Sequence, residues 1–280
     1  MKHRTTKKKS LLVISGLLAL SLLSACGKPN EHPAEGGHGG HTEESKTAAV
    51  TNAAKASFTF TSGSPKAGEK STLALSITDK SGKPVNDFQI NHEKLMHLIV
   101  VSKDLSYFNH IHPDYKGNGK FEIGTSFPAG GDYKLFADFI PKGGPGETLS
   151  EWVKVAGKEG EPAPIKADSR LVREVGGKEI ELSLSSAKPK QDVTLTFQIR
   201  DAKTKKDIDN LEPYLGAVGH VVILSADSEQ YIHVHPLDEK AKGPKAQFAT
   251  SFPASGVYKI WGQFQHNGEV FTAPFVIDVK

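Results

Sequence analysis

The sequence predicts an all-β protein made of two tandem β-sandwich domains of immunoglobulin or cupredoxin type, following a lipoprotein signal peptide and a disordered tether. Short runs of alternating apolar and polar residues are separated about every 8–12 residues by turns rich in Gly and Pro. No stretch of the folded part has the periodicity of an amphipathic helix. A large part of the first domain also returns in the second.

The repeat is visible in segments that match in length and character. They are HLIVVSKDLSYFNHIHP (97–113) with HVVILSADSEQYIHVHP (220–236), TSFPA (125–129) with TSFPA (250–254), and YKLF (133–136) with YKIW (258–261). A period above about 100 residues indicates tandem domains rather than a solenoid, and about 100 residues can form one hydrophobic core.

Composition shifts divide the chain into five segments. We predict a signal peptide at 1–25, a tether at 26–56, a first sandwich at 57–156, a linker at 157–166 and a second sandwich at 167–280. The tether is rich in Gly, Ala, Ser and Glu and holds histidines at His32, His38 and His41, which would form either a solvated spacer or a weak metal-capturing arm. The prolines and charges of the linker suit an extended spacer.

The first residues have the pattern of an export signal. Five basic residues precede an apolar run from Leu11 to Leu23, which is too short for a usual membrane span. The run ends in Leu-Ser-Ala-Cys (23–26), which resembles the bacterial lipobox. The resemblance implies cleavage before Cys26, a diacylglycerol on its sulfur and acylation of the new N-terminus. The expected location is the extracytoplasmic face of the cell membrane, with the lipid as anchor.

Charge and cysteine content exclude several functions. The chain has 35 basic and 32 acidic residues, and removal of the five basic residues of the signal leaves 30 and 32, a net charge of −2. We therefore expect no nucleic-acid partner, which would need a basic surface. Cys26 is the only cysteine, so disulfides, thiolate metal sites and cysteine nucleophiles are not expected.

Each copy of the longest repeated segment is expected to form a β-hairpin around a polar turn. Pairing His97 with His112 also pairs Ile99 with His110. Paired residues share a face, as do residues i and i+2 of one strand, whereas a slip of one residue would scatter the histidines. The predicted groups are His97, His110 and His112 in the first domain and His220, His233 and His235 in the second.

Three imidazoles with an open fourth position form a recurring plan for a transition-metal site. Ligation by imidazole alone suits Cu(II) or Zn(II), and the usual order of affinities favours copper. We therefore predict a copper or zinc site in each domain. The protein would bind or buffer the ion, or exchange it with a metal-donating or metal-accepting envelope protein.

Two other functions fit the same residues. Without a metal, the domains would form an immunoglobulin-like interaction or adhesion module, with histidines that make structural hydrogen bonds. A metalloenzyme would use the open position to activate water or oxygen and would need an acid or base, for which Glu93, Asp114 and Asp138 are candidates. The repeat gives none of these three a convincing place, so we expect no enzymatic activity.

The second domain carries LEPYLGAVGH (211–220) followed by YIHVHP (231–236). This pattern resembles that of bacterial cell-envelope proteins with immunoglobulin-like or cupredoxin-like domains, and the resemblance implies metal handling, in particular of copper. It covers both domains but is better in the second. The first domain has INHEKLMH (90–97) in place of PYLGAVGH (213–220), so its site is expected to differ in affinity.

Overall fold

The computed structural model describes residues 53–280, and this part of the chain consists of β-strands joined by turns and loops. The predicted signal peptide, Cys26 and nearly all of the predicted tether lie outside the described residues. None of the described segments forms a helix that could cross a membrane.

The first domain is a sandwich of two antiparallel sheets. Its strands are β1 (Ala54–Phe60), β2 (Lys70–Asp79), β3 (Phe88–Gln89), β4 (Met96–Ser102), β5 (Phe108–Ile111), β6 (Asp114–Gly117), β7 (Lys120–Ser126), β8 (Gly131–Pro141) and β9 (Glu147–Val155). One sheet has the order β1-β2-β7-β6, and the other has the order β3-β8-β4-β5 with β9 also paired to β8. The first strand starts inside the segment predicted as tether.

The second domain repeats this plan. Its strands are β10 (Val172–Val175), β11 (Lys178–Leu184), β12 (Asp192–Asp201), β13 (His220–Ser225), β14 (Tyr231–Ile232), β15 (His235–Pro236), β16 (Lys245–Ser251), β17 (Gly256–His266) and β18 (Glu269–Val279). The sheets have the orders β10-β11-β12-β16-β15 and β14-β13-β17-β18. The prediction of an all-β chain with two repeated sandwich domains is confirmed. Each domain has nine strands, because short strands of two to four residues flank the longer ones.

Alternation of apolar and polar residues explains why the sheets that contain β2 and β12, here called the outer sheets, bury one face and expose the other. In β2, Leu73, Leu75 and Ile77 are fully buried in the first core, while the residues between them are less buried. In β12, Val193, Leu195 and Phe197 do the same in the second core. Strands that read apolar on one face and polar on the other are typical of antiparallel sheets with one solvated face.

Strands β4 and β13 are instead apolar on both faces. In β4, Leu98 belongs to the core of the first domain, whereas Ile99 belongs to a third cluster shared with the second domain. In β13, Val221 and Val222 divide in the same way. Continuous apolar runs mark strands buried on both faces, and here the second buried face is the interface between the domains. The interface cluster contains Ile99, Val101, Leu105, Phe136, Val222, Leu224 and Trp261.

The interface pairs equivalent residues reciprocally. The ring of Phe108 stacks on Trp261 with 4.7 Å between centroids, and the equivalent Tyr231 packs on Phe136 at 5.6 Å. Reciprocal contacts of this kind characterise an interface around a two-fold axis. The two domains therefore pack as the subunits of a symmetric dimer do, although they belong to one chain.

Two lysines repeat the same symmetry. Lys134 donates from Nζ to the carbonyl of Ser228 at 2.8 Å, and Lys259 donates to the carbonyl of Leu105 at 2.8 Å. Lys134 also pairs with Glu229 at 2.8 Å. Each ammonium is thus held by a hydrogen bond to the opposite domain, and such bonds to charged groups are stronger than neutral ones.

Candidate metal centre

The structure brings the three histidines of the first domain together. Strand β4 pairs with β5 in the expected register, with Ile99 opposite His110 and Val101 opposite Phe108. His97, His110 and His112 each direct one ring nitrogen into a common space, and these nitrogens lie within 4.8 Å of one another. Because Ile99 and its paired histidine face the second domain, the whole group lies at the domain interface.

His97 is held by a backbone carbonyl. Its Nε2 lies 3.0 Å from the carbonyl oxygen of Asn91, which can only accept, so the Nε2–H of the neutral ring donates. Asn91 belongs to a tight turn in which His92 and Glu93 have φ angles of 45° and 66°. Two reciprocal backbone hydrogen bonds between Asn91 and Lys94 close this turn. Non-glycine residues with positive φ are strained, and such strain is concentrated at functional sites.

His110 is held by a side chain of the other domain. Its Nδ1 lies 2.7 Å from Oε1 of Gln263, while Nε2 of that amide donates to Oγ1 of Thr272 at 3.2 Å. The amide oxygen can only accept, so Nδ1–H of His110 donates to it. The remaining nitrogen, Nε2 of His110, faces Nδ1 of His97 at 2.9 Å.

His112 completes the group without a partner of its own. Its Nε2 is buried and makes no hydrogen bond to any described residue. The ring centroid is 5.0 Å from that of His97 and 4.8 Å from that of His110. A buried polar atom without a partner costs free energy and needs an explanation, such as a bound ion.

Burial keeps these imidazoles neutral. Burial, followed by the charge of His97, lowers the pKa of His110 to about 3, and the same two causes lower the pKa of His112 to about 4. Burial also lowers the pKa of His97, although its hydrogen bond to Asn91 and the charge of Asp138 oppose the shift. The neutral form is the one that binds metal ions.

These shifts predict that the metal-free protein loses stability in mild acid. The unfolded histidines titrate near pH 6.5, so the unfolded state binds more protons than the folded state below that pH, and stability falls as the pH falls. For His110 the loss is up to about 1.4 kcal/mol per pH unit, continuing towards its folded pKa of about 3. Urea unfolding at about pH 7 and about pH 5 measures it. The free energy of unfolding of a His110→Asn variant should fall less between these two pH values than that of the parent. An equal fall in both proteins would contradict the lowered pKa of His110.

His220 of the second domain lies beside this group. Its ring is nearly parallel to that of His97, with 5.4 Å between centroids and 10° between planes, and it lies 4.8 Å from the ring of His110. The ring of His92 is 5.4 Å away on another side. Burial, then the charge of His110, lowers the pKa of His220 well below its usual value.

The other two histidines of the second domain lie apart from this group. Nε2 of His233 is 3.3 Å from Oγ1 of Thr148 and 3.8 Å from Oδ1 of Asp138, and its side chain is 49% exposed. His235 is exposed and lies in β15, which belongs to the other sheet. Strand β14 ends at Ile232, one residue before His233, so the ladder does not hold this histidine as β5 holds its equivalent. Among the described residues, His220, His233 and His235 therefore form no second group.

A groove between the domains gives access from solvent to the histidine group. His110 and His112 line it together with Glu93 and Lys94 of the first domain and Tyr214 and Gln265 of the second. The groove therefore has walls from both domains. An ion could enter here without any separation of the two sandwiches.

Two contributors were not predicted as site residues. The carbonyl of Asn91 has no sequence signal beyond the polar turn. Gln263 does have a sequence signal, because it occupies the same position of the repeat as Asp138, at the end of YKIWGQ (258–263) and YKLFAD (133–138). In the structure these two residues pair directly with His220 and His97 on neighbouring strands. Close packing explains the glycine directly before His220. A Cβ on Gly219 would lie 2.5 Å from the ring of Phe264, so the backbone at this position approaches β17 closely.

Comparison with known proteins identifies a family. A family model described as a domain of unknown function, DUF8832, matches the chain twice, at residues 49–157 and 173–280. No curated protein sequence matches significantly.

Several solved structures resemble the chain weakly. The Escherichia coli adhesin FdeC is 18% identical with a TM-score of 0.28, and the match covers 82% of this chain and 64% of that one. Invasin, a bacterial integrin-binding protein, is 14% identical with a TM-score of 0.24 over 80% of this chain and 39% of that one. The Yersinia pseudotuberculosis adhesin InvE is 10% identical with a TM-score of 0.26 over 79% and 58%. The chain spans less than two thirds of the length of each of these proteins.

Proposed function

The chain belongs to the DUF8832 family, and we propose that it binds a transition-metal ion through His97, His110 and His112. The proposal rests on the geometry of these rings in two packed immunoglobulin-like domains. It narrows the expected sites to one, since the histidines of the second domain form no separate group among the described residues.

The proposal is carried by the outer hydrogen bonds of His97 and His110, from which the position of the single proton on each ring is deduced. His97 and His110 each donate their single N–H outward, to Asn91 and to Gln263. Their inner nitrogens, Nδ1 and Nε2, therefore present lone pairs to each other at 2.9 Å. Two facing lone pairs repel unless a cation lies between or beside them, and burial disfavours a second proton on either ring. A metal ion would satisfy both nitrogens and the unpartnered Nε2 of His112.

The ligand type favours copper or zinc. Neutral imidazole suits both ions, with bonds of about 2.0–2.1 Å to zinc. Tetrahedral ligands at that distance are about 3.3 Å apart, so only small adjustments from 2.9 Å are needed for His97 and His110. The order of affinities favours Cu(II) when both ions compete.

The sequence suggests where the ion would be handled. A lipid on Cys26 would hold the domains at the outer face of the cell membrane, and the tether would let them reach a donor or acceptor of the ion. With a single cysteine and only two methionines in the chain, the predicted role is reversible buffering or transfer through imidazoles. The groove beside His112 is the route for exchange.

Metal content tests the proposal directly. The chain from Gly27 onward, with His32, His38 and His41 of the tether changed to Gln, is offered Cu(II) and Zn(II) in competition, and bound ions are counted after excess is removed. We expect one ion per chain, predominantly copper. No ion above background would reject metal binding.

A second function is favoured by the same 2.9 Å separation, which is a normal hydrogen-bond length. If the amide of Gln263 turned over, its NH₂ would donate to Nδ1 of His110, whose Nε2–H would then donate to His97. The histidines would act as a buried polar network at the interface of a non-metal interaction module. In that case the protein would retain no ion after being offered Cu(II) and Zn(II), and histidine variants would change only its stability.

A further inference from the structure

We infer that the ion site belongs to both domains: His220 supplies a fourth imidazole, and Gln263 fixes the proton of His110. The inference rests on the proposed metal binding. It gives the second domain a part in the site of the first domain through His220 and Gln263, in place of the separate site predicted from His220, His233 and His235.

The spacing of the rings supports a fourth ligand. Four imidazoles bound tetrahedrally at about 2.0–2.1 Å have ring centroids about 5 Å apart. The three rings of the first domain are separated by 5.1, 5.0 and 4.8 Å. His220 lies 4.8 Å from His110 and 5.4 Å from His97, so its ring stands beside two of the three first-domain rings at a similar spacing. Within residues 53–280, neither of its ring nitrogens makes a hydrogen bond that would compete with an ion.

Strand geometry explains why His220 can reach the site. It begins β13 and shares a face with Val222 and Leu224, which both belong to the interface cluster. The reciprocal packing of the two domains brings the equivalent histidines, His97 and His220, side by side. The fourth ring therefore lies beside His97 and His110 across the domain interface.

Gln263 is a positioning residue from the same domain. It is 5% exposed, pairs with His220 across β13 and β17, and accepts from Nδ1–H of His110 at 2.7 Å. An outer carbonyl or carboxylate that accepts from a ligating histidine fixes its tautomer and makes it a better ligand. In the first domain the equivalent residue is Asp138, which contacts the exposed His233 instead. The two domains thus have different polar groups in equivalent positions, and within residues 53–280 a single three-histidine group forms.

An ion bound in this way would connect the domains. Strands β4 and the following β5 segment supply three ligands, while β13 supplies the fourth and β17 supplies the outer hydrogen bond. Ion binding and domain packing are therefore coupled, since separation of the sandwiches would remove one ligand and the partner of another.

Pulsed electron paramagnetic resonance of the Cu(II)-loaded chain tests the fourth ligand by counting coupled imidazoles. The chain from Gly27 with the three tether histidines changed to Gln should show four, and His220→Asn should show three. The control His266→Asn, an exposed position bound to Asn210, should keep four. Three imidazoles in both the parent and His220→Asn would overturn the fourth ligand while leaving metal binding intact. A parent that binds no copper would overturn both.

Gln263 is tested by two variants that differ in what they can accept. Gln263→Leu removes the acceptor, and we expect Cu(II) affinity to fall about 10–100-fold. Gln263→Glu keeps an acceptor at the same place and should retain at least the parent affinity. Circular dichroism of the metal-free variants shows whether each is folded, and Kd is compared among the folded ones. Equal affinity in all three proteins, or an equal fall in Leu and Glu, would overturn the positioning role.

Discussion

Replacing His110 by alanine is expected to lower the affinity for Cu(II) by more than about 100-fold. Loss of an outer-shell partner typically costs 10–100-fold, and this residue is proposed as a ligand. It is 9% exposed at the centre of the group, with nitrogens 2.9 Å from His97 and 2.7 Å from Gln263. Competition with a chromogenic chelator measures the affinity.

The same variant also changes stability, so affinity is the decisive measurement. Alanine leaves the buried oxygen of Gln263 without its donor, which costs about 1–3 kcal/mol in either function. His266→Ala, at an exposed position, is the matched control and should change neither quantity appreciably. If His110→Ala were destabilised but kept the parent affinity, the ion would bind elsewhere and these residues would be structural.

Replacing Trp261 by alanine is expected to destabilise the protein by about 3–5 kcal/mol, the usual cost of removing a buried aromatic side chain. The residue is 3% exposed, and its ring stacks on Phe108 of the other domain. Urea unfolding of the metal-free chain, followed by circular dichroism, measures the free energy of unfolding. The domain interface would account for the loss, because Trp261 belongs to the interface cluster and not to the core of its own domain.

The chain provides a matched control, since its only other tryptophan is Trp152. That ring is 40% exposed and lies 5.2 Å from Nζ of Lys134. Trp152→Ala should cost less, about 1–2 kcal/mol, because its own ring is partly exposed although Lys134 beneath it is buried. If both substitutions had the same small effect, the packing of the two domains would contribute little to stability.

Local patterns were sufficient to predict much of the fold. Alternation in β2 and β12 and the glycines and prolines between strands identified the sandwiches, because one face of each outer sheet is solvated. The hairpin predicted for 220–236 is present as β13 paired with β14, whereas the two-residue strand β3 and the pairing of β15 with the other sheet were beyond this method. These short strands depend on pairing with a neighbour rather than on a run of residues with their own periodicity.

The site was predictable only in part, for a related reason. A hairpin is local, so spacing alone predicted the register that puts Ile99 opposite His110. The same rule failed to group His220 with His233, because β14 ends at Ile232 and the following residues cross to the other sheet. The length of a short strand such as β14, which pairs with its neighbour through only two residues, is set by the packing around it. A repeat in the sequence does not reveal that packing.

The sequence by itself determined two tandem β-sandwich domains and the histidine positions that a hairpin aligns, because both follow from interactions between residues close in the chain. Tertiary structure decided that the two domains pack reciprocally, that His220 and Gln263 meet histidines of the first domain, and that the described part of the chain forms one histidine group rather than two. The physical reason is that strands β4 and β13 are apolar on both faces. Each must bury its second face, and burying these faces against each other brings polar groups about 150 residues apart into contact.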